Sequence, residues 1–300
     1  MANYPKGGFI DHGQEIQVAR GANNSVVKLP ELSVAWFSVA PKAKDAVGIL
    51  SQKTITAGTQ EFTPTAQPDV ARQLVITGDA TSKGGEVTIS GADALGNAIS
   101  ETKTIPASSP YTVATSQALA SVASVTVACS EKYVLALDSP TGGTFKLGNA
   151  VKGWTSDIAY NASAATIQTA LEAVYGAGKV TVVTGSDFTI TFSSGIVANL
   201  GLDSSLTDAA AAAVTLSGLG TVKVGLGQGI GIPAVANAPT VLAVYHDGGI
   251  VAPGTWTHTV DAVGGAAAKN IIDPGDTVGT AYNGTKKLDV YLAVAGVREG

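Results

Sequence analysis

Residues 72–105, RQLVITGDATSKGGEVTISGADALGNAISETKTI, limit what this chain can fold into more than any other stretch. Apolar and polar residues alternate through Leu74 and Ile76, again through Val87 and Ile89, and again from Ile99 through Thr102 and Thr104. Between these runs stand Gly78-Asp79, Gly84-Gly85 and Gly96-Asn97. Alternation sends successive side chains to opposite faces of a strand, and Gly, Asn and Asp supply the backbone conformations of tight turns. The stretch predicts an antiparallel meander with one face on a core and the other in water. The outward positions carry Thr, Ser and Lys and no cluster of reactive groups. Such text specifies a shape, and it points to a structural role.

The 300 residues suit one large domain or two to three small ones. Charged residues make up 14%, against about 25% in ordinary soluble domains. A surface so poor in charge suits a protein in lasting contact with other protein, and equally a neutral surface module. The net charge of −5 leaves no electrostatic footprint for nucleic acid, and the basic doublet Lys286-Lys287 reads as a solvated turn or strand edge. The single cysteine, Cys129, ends an alternating run from Val125 and reads as a small buried hydrophobe; no intrachain disulfide is possible. The opening residues MANYPKGGFIDHG hold no apolar core of a secretion signal. No run approaches the ~18 apolar residues of a membrane span. The expectation is a chain made in the cytoplasm that stays there or leaves by a route other than secretion.

Residues 1–44 read as an extended N-terminal arm, because Pro5, Gly7-Gly8, Gly13, the 21–24 segment, Pro30 and Pro41 interrupt any long element. Two short strands remain, at 16–18 and 32–36. The second puts Leu32, Val34 and Trp36 on one face and Phe37 and Val39 on the other. Apolar residues so placed need a further surface, either the chain's own body or a neighbouring subunit. Plain β text runs from Val47 to about residue 130 and resumes at Gly220. Between them the character changes. Strands at 133–137, 144–147 and 154–160 precede a helix with Asn161 or Ser163 as N-cap, a face of Ile167, Ala170, Leu171 and Val174, and Gly176 as C-cap. A hairpin about Gly185-Ser186, a loop through Gly201 and the alanine run 209–213, read as a short helical turn ahead of a flexible linker, complete it. The predicted organisation is an arm over 1–44, a discontinuous β domain over 45–130 and 219–297, an inserted module over 131–218, and a tail at 298–300. The fold class is mainly β: an antiparallel sandwich or barrel-like domain carrying a small α+β module. Two β domains flanking an α/β one are the linear alternative.

Two parts of this text resemble pieces of tailed-bacteriophage structural proteins. Residues 57–62, 68–78 and 96–102, with a later half at 222–233 and 288–294, resemble head-decoration and fibre-like proteins. Thr141-Gly142-Gly143-Thr144-Phe145, then 158–165 and the helix, are similar to a small module that recurs in phage virion proteins. One pattern interrupted by the other is more specific than either alone. The resemblance implies a non-enzymatic virion protein, a decoration or cement protein on the capsid exterior, assembled in the host cytoplasm. Its implied partners are the major capsid protein and copies of itself, as a trimer at a local threefold. The arm then lays Val34, Trp36 and Phe37 on the capsid or on a neighbouring copy, and the module projects outward with its loops toward a host surface. The alternative is a tail or fibre component that binds a host glycan or receptor, with Trp154 and Tyr160 as stacking platforms against a core-packing role for each.

The chemical inventory supports no catalytic assignment, and no cofactor is expected. His12 lies beside Asp11 near the N-terminus; His246 precedes the turn Asp247-Gly248-Gly249; His258 alternates with Trp256 and Val260. His246, Asp247 and His258 make at most a partial metal set, whereas zinc needs three or four ligands. The glycines of 225–231 lack the Gly-Lys-Ser/Thr of a phosphate loop and lead into Ile232-Pro233, not into a helix. A bulge or close backbone packing explains them. Asp138, Asp157, Asp187, Asp203 and Asp208 read as solvated loop acids, since no calcium-loop spacing joins them. A polysaccharide-degrading enzyme on a β scaffold remains a third class, with no carboxylate pair to name.

Overall fold

The computed structural model describes residues 15–20, 23–28, 32–79, 84–106, 110–232, 240–259 and 270–295. His12, Asp11 and the tail at 298–300 lie outside them. The chain is mainly β with antiparallel sheets, and among the described residues most buried apolar side chains fall into three clusters.

The first cluster lies between two sheets. One has the order Thr59–Phe62, Ser121–Cys129, Gly85–Ala92, Ala98–Ile105. The other is built on the long strand Thr221–Gly231, with Arg72–Gly78 along one edge, Tyr111–Ala114 beyond it, and Asp45–Thr54 along the opposite edge. Leu74 and Ile76 of one sheet face inward with Val87, Ile89, Val125 and Val127 of the other. The predicted meander is therefore split. Gly85–Ala92 and Ala98–Ile105 pair as a hairpin, but Arg72–Gly78 joins the facing sheet. Its inward residues are buried just as a meander would bury them, so alternation alone cannot distinguish the two arrangements. The glycine-rich text of 225–231 is strand, bulged between Leu226 and Ile230. A Cβ added at Gly225 would stand 2.2 Å from the Asp45 carbonyl oxygen, so the close approach of the neighbouring backbone requires glycine.

Residues 131–218 bury a cluster of their own. Lys132–Ala136 lies between Phe188–Phe192 and Ala213–Leu216, and Gly142–Asn149 pairs with Gly201–Thr207. The helix Ala164–Tyr175 starts where the Ser163 side chain accepts the Thr166 N–H at 3.2 Å, and it ends at Gly176 with φ of 103°. Ile167 and Leu171 are its buried residues, and they cover the sheet. Two expectations change here. The loop expected through Gly201 is a strand in register over seven pairs; Asp203, Ser204 and Ser205 face solvent and hide its periodicity. The 209–213 turn closes with an Ala212 N–H to Ala209 carbonyl bond of 3.2 Å, and Ala213 then begins a strand.

The third cluster joins residues from both ends of the chain. The sheet order is Gly249–Ile250, Thr240–His246, Leu288–Ala295, Leu32–Val39. Phe37, Val244, Leu288, Val290 and Leu292 face inward, with Tyr282 and Ile272. The segment read as an arm thus ends in a strand of the body, paired over eight residues with the C-terminal strand. Among the described residues from 240 onward, the apolar side chains that cluster do so with this strand and not in the first cluster.

Arg72 sits where the first and third clusters meet, with its side chain fully buried. Its Nε and Nη2 donate to the Gly227 carbonyl, and its Nη1 donates to the Lys42 carbonyl at 3.0 Å and to Asp69 Oδ1 at 3.1 Å. The guanidinium lies 5.8 Å from the Tyr282 ring centroid, inside cation–π range. A buried cation is tolerated only when so paired, and removing one member leaves the other uncompensated. Arg72→Ala should lower the unfolding free energy by about 3–5 kcal/mol, read as a lower urea midpoint. Arg72→Lys should not restore it, since a single ammonium cannot reproduce the planar fork. Cys129 is fully buried, and burial pushes its thiol up to about 11. It should resist a disulfide-exchange reagent at mildly alkaline pH until the chain is unfolded.

Candidate functional site

The strand Leu32–Val39 alternates about its sheet. Phe37 is 8% exposed and sits in the third core, while Trp36 faces out at 38% exposure. Trp36 is the register partner of Tyr291, and their rings stack at 6.4 Å and 17°. Tyr291 meets Tyr245 edge to face at 5.6 Å and 76°. A register shift between Val241 and Ala243 sets Ala243 opposite Tyr291, leaving Tyr245 on the diagonal. Tyr245 is in turn opposite Ile250, which is 65% exposed. Opposed residues of an antiparallel pair share a face. Trp36, Tyr291, Tyr245 and Ile250 therefore form one aromatic and apolar stripe across all four strands.

Aromatic rings offer large, rigid contact area with a polar tip, which is why they are enriched at protein interfaces. The acid on this face, Asp289, lies opposite Ser38 on one side and Tyr245 on the other. Beyond Ile250 the surface dips into a groove of about 430 Å³, lined in part by His246, Val251, Thr255, Asp276 and Val278. Two of its polar side chains are engaged, and His246 Nε2 is buried with no hydrogen-bond partner among the described residues. Thr255 Oγ1 donates to the Ala252 carbonyl at 2.7 Å, and Asp276 pairs with Lys44 at 2.9 Å. Burial, then the charge of Lys286, holds His246 below its ordinary range, against the opposing pull of Asp247. Its imidazole is neutral near pH 7. Among the described residues lining the groove, no hydroxyl is hydrogen-bonded to a base.

Of the residues singled out from sequence, the structure places Trp36 on this face and Phe37 beneath it, where Phe37 is closed to any partner; the Val34 side chain lies outside the described residues. Trp154 is 43% exposed and packs against Gly201. It pairs with Gly148, whereas Tyr160, half-buried, bonds through its N–H to the Gly143 carbonyl. Those anchor points are five residues apart on one strand, about 17 Å, so the two rings do not form a common platform. His246 and His258 belong to different sheets, and His258 Nε2 is 2.6 Å from Asn270 Oδ1. Among the described residues no group of three or more His, Cys, Asp or Glu could hold a metal ion. Tyr245, Tyr291 and Ile250 were not singled out from sequence. Tyr291 carried a signal, because it interrupts the apolar inward set Leu288, Val290, Leu292 at an outward position. No helix is long and apolar enough to cross a membrane among the described residues.

A base whose folded pKa is depressed takes up its proton first in the unfolded chain, so stability falls as pH drops below the unfolded value. For His246 that loss begins near its ordinary value of 6.5. Melting temperature measured from pH 7.5 down to 5 should fall more steeply for the wild type than for His246→Gln; parallel curves would contradict this. No protein-family model matches the chain, and no curated protein matches it.

Proposed function

We propose that this chain is a non-enzymatic structural protein of a tailed-phage virion, a decoration or cement protein that attaches to the outer capsid surface and stabilises the shell. One observation carries the proposal: an aromatic stripe crosses a whole sheet and faces solvent, while the buried ionic side chains Arg72 and Glu131 are spent on holding backbone. A stripe of this kind supplies anchors for a flat partner such as the major capsid protein. Standard interfaces bury about 1,200–2,000 Å², and repetition over a shell adds avidity without new contacts. Residues 131–218 have a core separate from that of the flanking β strands, and the reading of both parts as phage-like rests on their sequence.

A tail or fibre component is the second reading, favoured by one feature. At the tip of the inserted module Val151 is 91% exposed beside Trp154. Asn149 holds that tip by accepting the N–H groups of Val151 and Lys152 and donating to the Ala198 carbonyl. An indole that is 43% exposed offers a surface on which a sugar ring can stack.

Copy number separates the two. Quantitative mass spectrometry of purified virions should find hundreds of copies of this chain per particle. A handful per particle would remove the decoration reading in favour of the tail or fibre. Tests of attachment by truncation must stop before Leu32, because the strand Leu32–Val39 belongs to the folded body.

A further inference from the structure

Sheet edges are normally protected against pairing with other chains by shortness, charge, proline or bulges. Most edges of this protein follow that rule. Ala98–Ile105 carries Glu101 and Lys103; Asp45–Thr54 carries Asp45 and Lys53 and is irregularly paired; Gly249–Ile250, Tyr111–Ala114 and Thr257–Thr259 are short. Leu32–Val39 does not. Its eight residues, LSVAWFSV, include no charge, no proline and no glycine. Its pairing with Leu288–Ala295 runs without a register shift, so no bulge bends it away. Among the described residues no strand pairs with its outer edge.

We infer that this edge is a self-association site, where Leu32–Val39 of a second copy pairs antiparallel with it about a two-fold axis. The composition fits that occupant. In an antiparallel pair about a two-fold axis the residue on the axis faces its own copy and its neighbours lie diagonal to theirs, so charge at or beside the axis would meet its like. A strand free of charge avoids that repulsion. The two four-stranded sheets would become one of eight strands, joined over about 24 Å. Trp36 of each copy would flank the axis, and the aromatic stripe would continue from one copy into the next. The pairing uses the edge and leaves the outer face free. Its symmetry is two-fold, unlike the trimer that the phage resemblance implies, and it does not depend on attachment to a capsid.

The test is the solution mass of the full chain at about 50 µM. Sedimentation or light scattering should give twice the 29.9 kDa of one chain. Trp36→Lys and Trp36→Glu should each weaken association at least about tenfold, and an equal mixture of the two should restore the dimer. Hydrogen exchange on the wild type supplies a readout that needs no variant. A paired strand protects its outward amides as well as its inward ones, and that protection fades on dilution. A monomer or trimer at this concentration would overturn the inference, as would variants that stay dimeric or outward amides in 32–39 that exchange freely. If the variants fail to fold, the wild-type mass and exchange decide.

Discussion

The burial of Arg72 is the constraint on which the arrangement of this chain rests. The long strand Thr221–Gly231 serves two cores, with Val222 and Val224 in the first and Ile230 in the third. At the crossing point it bulges, and the Gly227 carbonyl turns to the guanidinium instead of a neighbouring strand. The same guanidinium holds the Lys42 carbonyl, which fixes the chain between Leu32–Val39 and Asp45–Thr54, and it lies over Tyr282 of the third core. Asp69 supplies the countercharge and also accepts the Lys42 N–H at 2.5 Å. One fully buried cation thus sets the third core against the first. An apolar side chain there would leave the Gly227 and Lys42 carbonyls without these donors, at the cost of unsatisfied buried acceptors.

Glu131 plays the matching part at the other junction. It is buried where the chain leaves the first core for the inserted module, and it accepts the Gly58 N–H, the Ala198 N–H and the Tyr133 hydroxyl, each at 2.8 Å. Gly58 belongs to the first unit and Ala198 to the module, so the carboxylate ties the two together. Burial and the hydrogen bond to this carboxylate push the Tyr133 phenol up, which keeps it a donor. The module's ends are also clamped to each other, the Ser217 N–H donating to the Lys132 carbonyl at 2.7 Å. An insertion whose ends lie side by side leaves its host sheets undisturbed.

Strand text was legible where alternation is strict and one face is buried, as at Leu74, Ile76, Val87 and Ile89. The helix was legible from Ser163, Ile167, Leu171 and Gly176 because a cap and a 3.6-residue stripe are local features. Partnership between strands was not. Arg72–Gly78 pairs with residues some 150 positions away, and no local pattern separates that from the adjacent hairpin. Gly201–Thr207 was hidden because only Leu202 and Leu206 pack inward. Trp36 was singled out as an apolar strand residue and is exposed, but the stripe needed Tyr291 and Tyr245, which only the sheet brings beside it. The two buried ions carried no sequence signal, since a lone Arg or Glu in β text reads as surface.

The three cores and the two ionic junctions hold the body's shape, and the proposed attachment rests on the exposed stripe. A symmetry-averaged cryo-EM reconstruction of the virion tests that most directly. The account predicts density for this body at repeated positions on the outer shell, with Trp36, Tyr245 and Tyr291 turned toward the capsid protein and the inserted module directed away. Density for the chain confined to the tail, or a shell-bound copy whose aromatic stripe faces solvent, would contradict it.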